Sequence, residues 1–131
     1  MIKLAYSAGA ALQRGKDTIM AIIKQYPETM SAEIKYDLIK SPKIQKISMC
    51  KGQRLDVDAY IIREDTTDDG MIVTVCSIRT PEGEMYATNS RTFIREFEVI
   101  LDCVGSSPFA IEVLDGISRA GRHFVTCAWA H

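Results

Sequence analysis

Two histidines and one tryptophan are all that the 131-residue chain holds of those side chains, and one of the histidines, His131, is its last residue. With so little imidazole, and with no nucleophile elbow, HExxH or kinase-type signature, no catalytic constellation is legible and an enzyme is not expected. The four cysteines, Cys50, Cys76, Cys103 and Cys127, stand singly, without CxxC or Cys/His ligand spacing, so neither a zinc site nor any other cofactor is expected. Three of the four fall in expected strands or the expected helix, where a buried free thiol is ordinary, and the chain reads as reduced and cytoplasmic. Long apolar runs are also missing. No stretch approaches the roughly 20 residues a membrane helix needs, and the small-residue run from Ala5 to Leu12 is short and broken by Gly9. A formal net charge of −1 gives no overall attraction to nucleic acid, so any basic surface must be local. A phosphate-binding loop at Gly9–Lys16 is excluded by spacing: five residues rather than four separate Gly9 from Gly15, and Asp17 stands where Ser or Thr would hold magnesium.

What is present is an ordinary globular balance, 47% hydrophobic and 25% charged, in a chain long enough to bury a core. The clearest local pattern is Met71–Gly105. Met71–Ile78 is β-branched and apolar, as suits a buried strand. Thr80-Pro81-Glu82-Gly83 sets Pro at the second and Gly at the fourth position of a type I turn, and Glu84–Thr88 is the returning strand of the hairpin. Asn89 or Ser90 can cap a helix in which Phe93, Ile94, Phe97, Ile100, Leu101 and Val104 make one apolar stripe, with Gly105 as its C-cap.

Around this centre the sequence predicts a short helix over Asp17–Tyr26, an ambiguous helix or lead-in strand over Pro27–Ser41, and then strand after strand. Lys43–Cys50 is the first, with a turn at Lys51-Gly52-Gln53. Arg54–Arg63 is the second, with Leu55, Val57, Ala59 and Ile61 on one face and Arg54, Asp56, Asp58 and Tyr60 on the other. Glu64–Gly70 is an acidic loop, Phe109–Leu114 a later strand, and Arg122–Ala130 the last. With the hairpin strands taken together as the third position, one helix between the third and fourth strand positions is the connectivity of an OB-fold, a five-stranded, partly open Greek-key barrel, here with a helical N-terminal extension. Residues 1–42 form that extension and residues 43–131 the mainly β domain; an α+β sheet with helices on one face is the alternative.

Charge is segregated. Lys35, Lys40, Lys43, Lys46, Lys51 and Arg54 meet only Asp37, whereas Asp56, Asp58, Glu64, Asp65, Asp68 and Asp69 meet only Arg63, and a second basic cluster, Arg119, Arg122 and His123, lies in the last hairpin. Lysine and arginine that track phosphates, with Tyr60, Tyr86, Phe124 and Trp129 as flat rings for bases, are what a single-strand binder needs. The bland readings stand beside this one: a lysine-rich strand protects a sheet edge, and aromatics in a small barrel fill its core. Tyr60 and Tyr86 are the better platforms because alternation sets them among polar neighbours, while Trp129 and Phe124 are balanced between core and platform. Asp56 and Asp58, two apart on a strand, could hold magnesium in a nuclease, but as carboxylates flanked by Arg54 and Tyr60 they read first as solvent-facing.

ATNSRTFIREFEVI, followed by FAIEVLDGISRAGRHFVTC, resembles the small single-stranded DNA-binding proteins of bacteriophages and mobile elements in Gram-positive bacteria, over residues 43–130. The resemblance implies an OB-fold that coats single-stranded DNA during replication or recombination, commonly as a homo-oligomer, with replication proteins as partners and no membrane association. It places the binding surface on strands two and three and on the loops Lys51–Gln53 and Ser118–Arg122, so that Lys46, Lys51, Arg54, Tyr60, Tyr86, Arg119, Arg122, Phe124 and Trp129 form the expected nucleic-acid site. Such proteins usually begin at the first strand and end in an acidic tail. This sequence has an extension instead and no tail, which points to oligomerisation through the N-terminus. The alternative functions are a protein-interaction module docking on a host replication or defence protein and, behind it, the metal-dependent nuclease.

Overall fold

The computed structural model describes residues 20–105 and 108–131. The segment Gly9–Lys16 and the start of the helix expected from Asp17 lie outside the described residues. The fold is mainly β, with two sheets and two α-helices. In chain order the elements are β1 (Met20–Tyr26), α1 (Ala32–Lys40), β2 (Gln45–Lys46), a 3-10 turn (Ile47–Cys50), β3 (Arg54–Val57), β4 (Ala59–Thr66), β5 (Ile72–Arg79), β6 (Met85–Thr88), α2 (Arg91–Val104), β7 (Phe109–Ile117) and β8 (His123–Ala130). One sheet has the order β1-β4-β5-β6-β2 and the other β3-β7-β8. Among the described residues the two sheets share no ladder, so no closed barrel forms.

The central pattern folds as its spacing dictates. β5 and β6 pair antiparallel from Cys76↔Thr88 to Arg79↔Met85, closed by a turn in which the Gly83 N–H donates to Thr80 O at 2.9 Å with φ of +89° at Gly83. Positive φ is the reason glycine stands there. Ser90 Oγ accepts from the Phe93 N–H at 3.2 Å and caps α2, and the same hydroxyl donates to Val125 O on β8 at 2.8 Å, tying the helix start to the second sheet. Phe93, Ile94, Phe97, Ile100 and Leu101 are buried, as the stripe requires. Phe97 is the hub. Its ring lies 5.3 Å from Tyr60 of the first sheet, edge-on, and 5.6 Å from Phe109 of the second.

Three expectations are corrected. Met20–Tyr26 is a strand rather than the second half of a helix; it runs antiparallel to β4, from Met20↔Asp65 to Tyr26↔Tyr60. The apolar spacing of Ile22, Ile23 and Tyr26 fits a helical stripe locally, but β4 would otherwise lack a ladder on that side, and unpaired buried backbone is costly. A bulge between Ile22 and Lys24 absorbs the irregular pattern. Lys43–Cys50 is not one strand: only Gln45 and Lys46 pair, parallel to Tyr86 and Ala87 of β6. A strand would put Ile47 and Met49 on one face, whereas a 3-10 turn buries Ile47 and Cys50, three apart, and leaves Met49 68% exposed.

The third correction concerns Arg54–Arg63, which breaks at Asp58 into β3 and β4 and serves both sheets. Asp58 donates its N–H to Arg79 O at 2.9 Å, and Arg79 Nη1 lies 3.0 Å from its carboxylate. The extra residue reverses the alternation. Leu55 and Val57 face the main core, and after the break it is Tyr60 and Ile62 that join them, not Ala59 and Ile61. Ala59 and Ile61 instead pack with Met30, Leu38 and Met85 in a second, smaller core, against which Ile34 and Ile39 of α1 also pack. The ambiguous Pro27–Ser41 segment is therefore helical over Ala32–Lys40, capped by Ser31 Oγ on the Ile34 N–H. Among the described residues no helix is long and apolar enough to cross a membrane.

Candidate nucleic-acid interface

The β7–β8 hairpin carries Arg119, Arg122 and His123 at its turn end, all exposed. Asp115 and Gly116 lie within β7, paired with Val125 and Phe124, and the Ser118–Gly121 tetrad makes the turn: the Ser118 N–H donates to Arg122 O at 2.8 Å, the Gly121 N–H to Ser118 O at 2.9 Å, and the Arg122 N–H to Ser118 Oγ at 3.1 Å. These bonds use up the backbone of the turn and leave Arg119 and Arg122 exposed, without an ion pair among the described residues. The loop Lys51–Gln53 is brought alongside. The Gly52 N–H donates to Val113 O at 2.7 Å and the Val113 N–H to Gln53 O at 2.9 Å, a short extension of the β7 ladder.

Asp115 closes the junction. Its carboxylate lies 2.7 Å from Lys51 Nζ and 3.0 Å from His123 Nδ1. The hydrogen bond from Lys51, then that from His123, holds the Asp115 carboxyl below its ordinary value of 3.8. A depressed carboxylate value means that the tie is complete above the ordinary carboxylate range and is lost only as pH falls through and below it. The Asp115 carboxylate is therefore ionised throughout the neutral range. Asp115 is not among the site residues expected from the sequence. The signal that would have found it is the period of two, since Phe109, Ile111 and Val113 alternate inward and the next position of that register, Asp115, emerges at the rim.

Removing the one acid in this cluster gives a direct check on the electrostatics. Asp115→Asn should tighten binding of a labelled oligo-dT about fivefold at 0.1 M salt, the gain expected from one further net positive charge facing a single strand. Weaker or unchanged binding in an anisotropy titration would show that the hairpin does not face phosphate.

The other expected site residues are placed as follows. Phe124 is half-buried, with its ring lying over Gly116, its partner across the hairpin; a Cβ at Gly116 would come within 2.3 Å of that ring, so any side chain there would displace Phe124. Lys46 is exposed on β2, beside a groove of about 530 Å3 that also contacts Ile47, Thr88, Ser90 and Val125. Arg54 is exposed, with Nε 3.5 Å from Asp56, and shares a second cavity with Trp129, which is 46% exposed. Tyr60 and Tyr86 are corrections: at 6% and 7% exposure they belong to the main core and offer no platform. Burial raises the Tyr60 phenol, and loss of hydration pushes that of Tyr86 up to about 12, so both remain neutral at any physiological pH. The phase reversal at Asp58 turned Tyr60 inward. Tyr86 follows the inward register of Ile78, with which it is paired.

The structure thus joins Lys51, Arg119 and Arg122 with His123 at one edge, sets Arg54 with Trp129 elsewhere, and removes the two tyrosines. The Asp56–Asp58 pair is occupied on both members, by Arg54 and by Arg79. Among the described residues no group of three or more His, Cys, Asp or Glu could hold a metal ion. Sequence reasoning missed the exposed apolar residues bordering the basic edge, Ile117 at 64% and Met49 at 68%. No protein family, curated protein or solved structure matches the chain.

Proposed function

We propose that the protein binds single-stranded DNA without demanding a sequence, as a non-enzymatic coat in replication or recombination, on an OB-fold-like scaffold. The observation that carries the reading is that the loop Lys51–Gln53, bonded to Val113 and tied by Lys51 to Asp115, lies on the same hairpin whose turn presents Arg119 and Arg122 exposed and free of ion pairs among the described residues. The scaffold supports it. If Arg54–Thr66 is taken as one strand bent at Asp58, the order from Arg54 onward, after β1, α1 and β2, is three strands, helix α2 and two strands, and the bent strand pairs with both β5 and β7. That order supports an OB-like reading, with the seam between β6 and β8 left open and, among the described residues, bridged by the hydrogen bond from Ser90 Oγ to Val125 O. The likeness of the helix and final hairpin to phage single-strand binders points the same way, and cooperative assembly of copies along the strand belongs to the same proposal.

Anisotropy of labelled poly-dT, titrated with protein at several salt concentrations, tests it. Three cations at the edge predict that log K falls against log salt with a slope of about −2. No binding at low salt would remove the coating role. A second reading then takes over, favoured by the turn Thr67–Gly70: Asp68 and Asp69 there, flanked by Met71 and Ile72 at 61% and 65% exposure, suit a protein partner and not phosphate.

A further inference from the structure

At the far end of β8 from the basic hairpin lies a cavity of about 610 Å3, within the range of small-ligand sites. The Trp129 indole, Phe109, Pro81 and Pro108 supply its flat and apolar walls, and Arg54 and Asp56 its polar rim. Trp129 is held edge-on to the His131 ring at 4.6 Å and yet remains 46% exposed. A large indole left half in water on a cavity wall is a surface awaiting a partner, because covering it yields more than covering any other side chain on that rim. Charge narrows the choice of partner. Arg54 is matched by Asp56 at 3.5 Å, and Asp58 beside it by Arg79 at 3.0 Å, so the rim has donors and acceptors but little net field. Such a rim does not draw phosphate. It fits an uncharged planar ring that carries both N–H and C=O groups, which Asp56 and Arg54 can meet respectively.

We infer that this cavity receives one nucleobase of the bound single strand, stacked on Trp129, while phosphates roughly six nucleotides along the same strand lie on the Arg119–Arg122 hairpin. The inference rests on the proposed single-strand binding and adds a second point of contact to it. Six residue steps along β8 separate His123 from Trp129, which at strand rise is about 20 Å. A stacked strand at about 3.4 Å per nucleotide covers that distance in roughly six nucleotides, inside the range of site sizes for such folds.

Trp129 is the only tryptophan of the chain, so its emission reports on this cavity alone. The experiment is a titration of the full chain with oligo-dT, following Trp129 fluorescence and, in parallel, the anisotropy of a labelled copy of the oligonucleotide. The expected result is quenching that saturates with the anisotropy signal, together with about tenfold weaker binding by Trp129→Leu, which keeps apolar bulk but has no ring to stack. Unchanged emission while anisotropy shows binding, with Trp129→Leu binding as the parent does, overturns the inference and leaves the coating role standing. Absence of any anisotropy change removes the coating role and this inference with it. Emission that shifts with protein concentration before any DNA is added, and does not shift further on binding, would assign the cavity to contact between copies and would also overturn it.

Discussion

Phe97→Ala is expected to destabilise the protein by about 3–5 kcal/mol, the cost of removing a fully buried phenyl ring that its surroundings cannot replace. Phe97 has no exposed surface, and its ring is 5.3 Å from Tyr60, 5.9 Å from Phe93 and 5.6 Å from Phe109. Two of these neighbours sit on different sheets, and among the described residues no ladder of hydrogen bonds joins those sheets. Collapse around the hole would require the sheets to approach each other, which the Arg54–Thr66 strand shared between them resists. The loss is a large fraction of the roughly 5–15 kcal/mol by which domains of this kind are stable. Urea unfolding followed by far-UV circular dichroism measures it as a shift in midpoint. Val99→Ala, on the same helix but 52% exposed, should change stability by no more than about 0.5 kcal/mol. Equal midpoints for the two variants would show that the aromatic hub does not hold the sheets together.

The second large effect concerns binding. The Arg119→Ala/Arg122→Ala double variant should bind oligo-dT about 25-fold more weakly at 0.1 M salt, because each phosphate contact to a single strand contributes about 0.7 to the salt slope, or roughly fivefold over the decade between 0.1 and 1 M. The slope itself should fall by about 1.4. Both side chains are exposed and the turn is held by backbone groups and Ser118 Oγ, so the unfolding midpoint should not move. Lys40→Ala, an equally exposed cation on α1, serves as the control that changes charge without touching the hairpin. Equal losses from Lys40→Ala and from the double variant would mean that the hairpin has no privileged contact.

The segments legible in sequence are those whose local pattern and tertiary role agree. Met71–Gly105 is of this kind: Pro81, Gly83, Ser90 and the stripe from Phe93 to Leu101 each do locally what the fold asks of them. The basic hairpin was legible for the same reason, since Ser118 and Gly121 mark its turn whatever surrounds it. Elsewhere the tertiary context decided. Met20–Tyr26 presents a helical spacing but completes a ladder on β4, and Ile47–Cys50 looks extended but must bury two residues three apart. The faces of Arg54–Arg63 could not be assigned by alternation because nothing in the local composition marks Asp58 as the place where alternation fails. That single slip misplaced Tyr60. Exposure of Trp129 and the pairing of Arg54 with Asp56 depend on which strand ends the fold leaves uncovered, and strand periodicity does not report on ends.

The break at Asp58 also governs what lengths of chain the protein can tolerate. The turns at Thr67–Gly70 and Ser118–Gly121 lie beyond the cores they connect, so a residue gained or lost there alters a loop and little else. At Asp58, where the bend between the sheets takes up the extra residue, one lost residue would draw Ala59 into the break and shift all that follows by one position: Tyr60 and Ile62 would be presented to α1, and Ile61 and Arg63 to the aromatic hub. Two cores are thus indexed to one another by the count of residues between Val57 and Tyr60. In a lineage that carries this fold, substitutions at Asp58 would be common beside deletions there, because the position is held by its number in the chain more than by its chemistry.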